Sequence, residues 1–306
     1  GGEPLMRQDV LEIARYANER GPRPVISPNG TLITPELAAG MVSAGISRVS
    51  VSIDGSSAAR HDAIRGVPGA FDAALHGLGI CRDQQLSFQL NTTVLRQTVD
   101  DLPAIHRLAV ELGAAAWHVF MLVPTGRGQA EDEVTGTEYE GVLNWIYEAS
   151  KDSPIPIRVT CGPHYLRIAA TRGRQEGGSV RAGHPGANAG GRGGQGHADR
   201  MSRGCLAGNG YCFISHRGEV FPCGYFPLAA GDIRQDSFAH IYQESALFQT
   251  LRDWSRLEGK CGRCEFVGVC GGCRARAYST TGNMLAEEPF CSYQPRAERR
   301  GGVDRG

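Results

Sequence analysis

The sequence is short of three things: net charge of either sign, lysine, and long apolar runs. Its 306 residues carry 32 basic and 32 acidic side chains, a balance that leaves no overall field to gather nucleic acid or an anionic membrane. Lys151 and Lys260 are the only lysines; the other cations are arginines, planar forks suited to carboxylates and phosphates. No apolar run approaches the ~18 residues of a membrane span. A charged-then-apolar leader and an initiator Met are also missing, and the opening Gly1-Gly2-Glu3-Pro4 reads as cut into rather than begun.

Cysteine, by contrast, is abundant and unevenly placed. The last third reads Cys205-x6-Cys212-x10-Cys223, then Cys261-x2-Cys264-x5-Cys270-x2-Cys273, then Cys291, so that eight of the ten cysteines fall within 87 residues. Disulfide scaffolds are usually small and secreted. A large chain with paired Cys-x2-Cys knuckles reads instead as a cytoplasmic metal protein. Eight thiolates would close two four-iron clusters. Zinc is the other metal that suits such knuckles, and Cys212, within Tyr211-Cys212-Phe213-Ile214, has the plain alternative of a buried strand thiol.

Upstream, apolar periodicity predicts helices near 5–20, 34–44, 69–84, 100–112 and 137–151. Strands are expected at 23–28, 47–53, 86–94 and 117–123. Strands separated by amphipathic helices mean βαβ units and a parallel sheet, an open or partial (β/α) barrel whose first strand is lost. The expected organisation is a partial barrel over 1–165, a Gly-rich linker over 166–202, a cysteine-rich module over 203–295 and a frayed tail over 296–306. Glu3 stands before the first helix, Asn29, Ser52, Asp54, Asn91 and Thr93 fall at strand ends, and Thr125-Gly126-Arg127-Gly128 follows the last strand. In parallel barrels these positions share one rim, although each alone is an ordinary turn residue.

Gly-Gly-Glu-Pro before a helix, Val-Ser-Ile-Asp-Gly after a strand and the late cysteines together resemble a radical S-adenosylmethionine (SAM) enzyme with a SPASM-type extension, over essentially the whole chain. The resemblance implies that Gly1, Gly2 and Glu3 hold the methionyl amino group, that Ser52 and Asp54 meet the ribose, that Asn91 lies on the carboxylate side, and that the loop with Thr125 and Gly126 lies near the adenine; Asn29 joins this set. It implies one four-iron cluster on Cys205, Cys212, Cys223 and Cys273, and another on Cys261, Cys264, Cys270 and Cys291. The family's SAM-cleaving Cys-x3-Cys-x2-Cys loop lies upstream of Gly-Gly-Glu-Pro and is not in this sequence, so the chain as written is expected not to cleave SAM.

Cys270-Gly-Gly-Cys273-Arg-Ala-Arg-Ala-Tyr278, Ala286-Glu-Glu-Pro-Phe-Cys291 and Thr160-Cys-Gly-Pro-His-Tyr165 resemble the radical SAM enzymes of the alternative haem and haem d1 pathways, haem b synthases above all. The implied activity is conversion of Fe-coproporphyrin III propionates to vinyls, with electrons from a flavodoxin or ferredoxin. Arg127, Arg274 and Arg276 are then candidate partners of the propionates, and Cys161 and His164 candidates to touch the substrate iron or move a proton. Three alternatives stand: removal of acetate or propionate side chains from a sirohaem-derived ring, modification of a peptide, and a non-enzymatic iron–sulfur or zinc module.

Overall fold

The protein is described as a computed structural model over residues 2–124, 130–176 and 204–296. Its larger part alternates α1 (Val10–Glu19), β1 (Val25–Ile26), α2 (Pro35–Ser43), β2 (Arg48–Ser52), α3 (Ala58–Arg65), α4 (Ala70–Asp83), β3 (Phe88–Val94), α5 (Leu102–Glu111), β4 (Trp117–Met121), α6 (Gly136–Asp152), β5 (Ile157–Thr160) and α7 (His164–Gln175). The five strands form one parallel sheet in sequential order. This is the α/β architecture expected from the sequence, an open portion of a (β/α) barrel.

Local chemistry sets the boundaries. Thr34 caps α2 by accepting from the Leu37 N–H at 3.2 Å, with Pro35 following at the first helical position. Thr135 and Glu138 form a reciprocal capping box on α6. Gly77 in α4 allows the helix to approach the turn after β1, where a Cβ would lie 2.2 Å from the Gly30 carbonyl oxygen.

Alternation along the strands splits the sheet into two faces. Val49, Val51, Ile53, Leu90, Val94, Trp117, Val119, Met121 and Ile157 are buried against the helices. Each such side chain contributes about 1.5–3 kcal/mol of apolar burial. Thr92, polar on this face, is satisfied by donating to the Ile53 carbonyl and accepting from Trp117 Nε1. The opposite face carries Ser50, Ser52, Gln89, Asn91, Thr93, His118 and Arg158.

Two elements differ from the sequence reading. Helix α3 and strand β5 were not expected, because α3 (AARHDAIR) offers little apolar periodicity and β5 is four residues long. The expected linker also begins too early: α7 continues to Gln175, with Tyr165, Leu166 and Ile168 buried in the main core. Apolar spacing at the start of α7 is masked in the sequence by its arginines and by the glycines beyond. The rest of that segment lies outside the described residues, as does the tail after Arg296.

The C-terminal module is small. Strands β6 (Phe213–Ile214), β7 (Glu219–Phe221) and β8 (Gly231–Asp232) make an antiparallel sheet, followed by α8 (Phe238–Glu244), α9 (Ala246–Arg252), α10 (Gly259–Gly262) and α11 (Arg274–Thr281). Val220, Ile241 and Phe248 form its own core, while Phe226, Leu251, Cys273 and Ala275 pack with Val123 from the end of β4. No helix among the described residues is long and apolar enough to cross a membrane.

Candidate functional site

The polar sheet face is ordered by register. Ser52 pairs with Asn91, Asn91 with His118, and His118 with Arg158, so one row of polar side chains crosses four strands. At the edge, the Glu3 carboxylate accepts from the Leu5 N–H at 3.1 Å and from the Asn29 N–H at 2.7 Å. That ties the chain start to the end of β1, while Asn29 closes its own turn through Thr31. Asp54 is 4% exposed. It accepts from the Thr93 N–H at 2.7 Å and pairs with Arg65 at 2.6 Å, bridging the ends of β2 and β3. The structure thus gathers Glu3, Asn29, Ser52, Asp54 and Asn91 along neighbouring strand ends, with Gly2 exposed beside them. Gly1, Thr125, Gly126 and Arg127 lie outside the described residues.

His61 supports this rim from α3: its Nδ1 accepts from the Asp54 N–H at 3.1 Å. Burial, with Arg65 nearby, holds its pKa below the ordinary imidazole value. The unfolded chain therefore takes up the proton first as pH falls below about 6.5, and the folded state loses stability below that point. His61→Gln is expected to flatten the decline in stability between about pH 6.5 and 5. Denaturant titration at several pH values reads this directly, and parallel curves for the two proteins would contradict it.

The second cysteine group converges. Cys261, Cys264, Cys270 and Cys291 line one pocket that is partly open to solvent, with His164, Arg167 and Lys260 in the same wall. Main-chain amides point at the sulfurs: Glu288 N–H to Cys261 at 3.3 Å, Phe266 N–H to Cys264 at 3.4 Å, and the Gly272 and Tyr293 amides to Cys270 and Cys291. Burial pushes the free thiols of Cys264, Cys270 and Cys291 up. Such donors favour the thiolate that a bound metal would create. His164 is fully buried, its pKa held down to about 4 by burial, and neither ring nitrogen has a hydrogen-bond partner among the described residues.

The first group is arranged differently. Cys205, Cys223 and Cys273 interact with one another, and their sulfurs receive the amides of Ala207, Tyr225 and Arg276. Cys161, at the end of β5, joins them: with Cys223 it packs against the small cluster that holds Cys273. Cys212 stands apart and packs against the Val220–Ile241–Phe248 core. Among the described residues, no three His, Cys, Asp or Glu side chains are drawn closely enough together to hold a single metal ion. A tetrahedral zinc site with 2.3 Å bonds needs sulfurs about 3.8 Å apart. The second group lines an open pocket instead, an arrangement that suits a polynuclear cluster.

Arg274 and Arg276 do not reach toward a substrate, which corrects the role expected for them. Arg274 is 5% exposed and donates to the carbonyls of Met284 and Ala286, with Nη2 4.0 Å from Cys261 Sγ. Arg276 is wholly buried and donates to the carbonyls of Met121 and Leu122 at the end of β4 and of Cys161 at the end of β5. It also bonds Tyr139 Oη at 3.2 Å and lies 3.5 and 3.6 Å from Glu133 and Glu288. A buried cation with this many acceptors is structural. Sequence reasoning missed Tyr139, Glu133 and Glu288, which only the tertiary fold brings together. His118 and Arg158 were within reach: they alternate with the apolar Trp117, Val119, Ile157 and Val159.

Residues 1–109 match the radical SAM superfamily, and residues 205–265 match the SPASM iron-sulfur cluster-binding domain. AdoMet-dependent heme synthase of Methanosarcina barkeri is 48% identical over 96% of this chain and 81% of its own length; that of Nitratidesulfovibrio vulgaris is 49% identical over 97% and 78%. Fe-coproporphyrin III synthase of Methanosarcina barkeri is 32% identical over 95% and 74%. Among solved structures, Streptococcus suis SuiB bound to S-adenosylmethionine superposes with a TM-score of 0.71 at 14% identity, covering 96% of this chain and 65% of that one, a likeness of fold alone. A parallel sheet with a polar inner face, joined to a module that gathers four thiols about one pocket, now agrees with close sequence kinship: the chain belongs to the AdoMet-dependent heme synthase family of radical SAM enzymes.

Proposed function

We propose that this protein, together with the SAM-cleaving Cys-x3-Cys-x2-Cys segment its family carries upstream, converts two of the four propionates of Fe-coproporphyrin III to vinyls and so makes haem b. The observation that carries this reading is the convergence of Cys261, Cys264, Cys270 and Cys291 on one pocket beside a barrel with a polar inner face. Each propionate would lose a hydrogen atom from its β-carbon and then CO2 and one electron. Bound SAM with its cluster supplies the hydrogen abstraction, and an auxiliary cluster is a suitable acceptor for the electron.

The chain's own residues hold and orient. The Glu3 carboxylate, fixed by two amides, keeps lone pairs for an ammonium group. Ser52, Asn91 and Asn29 offer the hydroxyl and amide groups a ribose and a carboxylate need. Asp54, spent on Thr93 and Arg65, acts by bracing these neighbours. Arg158, on the polar face, and Arg127 are the cations we assign to the propionates. His164 is buried in the wall of the second thiol pocket, which supports assigning it to that centre. A flavodoxin or ferredoxin is the proposed source of low-potential electrons.

The test incubates the reduced, N-terminally complete protein with SAM and Fe-coproporphyrin III. Mass spectrometry is expected to show two successive losses, each of CO2 plus two hydrogens. Formation of 5′-deoxyadenosine with an unchanged porphyrin would reject the substrate and leave the radical chemistry standing.

A further inference from the structure

We propose that Cys161, not Cys212, is the fourth thiolate beside Cys205, Cys223 and Cys273 at the first auxiliary centre. The inference rests on the reading above that the module houses iron–sulfur clusters. Cys161 and Cys223 pack together against the same small cluster of Val123, Phe226 and Cys273. Cys212 has no such neighbour: its side chain lies on the Val220, Ile241 and Phe248 core.

The backbone supplies a second, independent argument. Cys161 has φ +59°, one of two non-glycine residues among those described with positive φ. The other, Gln85, lies in the turn after α4. A left-handed cysteine is disfavoured and persists only where its surroundings fix it. They do here: Tyr139 Oη donates to the Cys161 carbonyl at 2.8 Å and Arg276 Nη1 at 3.1 Å. Glycine would serve this turn without strain. A cysteine held there against its preference, by buried donors, in the cluster that contains Cys273, is placed for its sulfur.

Loss of the ligand is read without catalysis. The N-terminally complete protein is reconstituted anaerobically, and iron, sulfide and the EPR spectrum of the reduced state are measured. Cys161→Ala is expected to lose about four irons and one cubane signal, while Cys212→Ala keeps the wild-type complement. Cys161→Ser, whose oxygen can still bind iron, is expected to keep the cluster with shifted g-values, an effect that a merely structural role would not produce. Cys264→Ala identifies the signal of the second centre, so the two are not confused. Loss of four irons in Cys212→Ala, with or without loss in Cys161→Ala, would overturn the assignment. A wild-type protein holding no iron beyond its SAM-cleaving cluster would reject the cluster reading itself.

Discussion

Replacing Arg276 by methionine is expected to lower the stability of the folded protein by about 3–5 kcal/mol, the usual cost of stranding a buried ionic partner. The side chain has no exposed surface, so solvent does not screen the loss. Its removal leaves the carbonyls of Met121, Leu122 and Cys161 without their donor, and leaves Glu288 wholly buried and Glu133 nearly so. Burial already raises the Glu133 carboxyl. The loss is comparable to much of the 5–15 kcal/mol that holds an ordinary domain together. Anaerobic denaturant unfolding measures it. Adding Glu288→Gln is expected to restore part of the stability, since one uncompensated charge is then gone, although Glu288 also accepts from the Cys273 amide. A loss below about 1 kcal/mol would mean that the seam between barrel and module does not depend on this cation.

Cys264→Ala carries the second large effect. Product formation by the N-terminally complete protein is expected to fall at least about 100-fold, as befits a direct ligand, while 5′-deoxyadenosine is still made. The sulfur sits in the pocket shared with Cys261, Cys270 and Cys291 and receives the Phe266 amide, so its loss strikes one centre without touching the barrel rim. Cys81→Ala is the control. That thiol is buried in α4, pushed up to about 11 by burial alone, and its loss should leave both products unchanged. Loss of both activities in Cys264→Ala would point to misfolding rather than to a missing ligand.

The parts of the fold read correctly from the sequence were those whose signal is local. Val49, Val51 and Ile53 announce β2 by alternation, and Thr34-Pro35 announces α2 by its cap. Helix α7 was lost because its apolar positions sit among arginines, and β5 because four residues give almost no period. The same limit applies to the site. Glu3, Ser52, Asp54 and Asn91 were legible because strand ends are predictable places. The cysteine spacing marked a metal module. It pointed to Cys212 for the first centre and not to Cys161, the ligand proposed above, since that choice depends on how β5 meets α11 across more than a hundred residues. The arginines misled for a physical reason: a guanidinium reads alike whether it will face a carboxylate ligand or several backbone carbonyls.

Three of the acceptors that Arg276 uses on the barrel are peptide oxygens at the ends of β4 and β5. Any residue type displays the same oxygen at a strand terminus, so this part of the docking is indifferent to the side chains there. Tyr139 and Glu133 are different: a hydroxyl and a carboxylate must stand where the guanidinium arrives. The socket is therefore mostly polypeptide, and its discrimination rests on two side chains at and before α6.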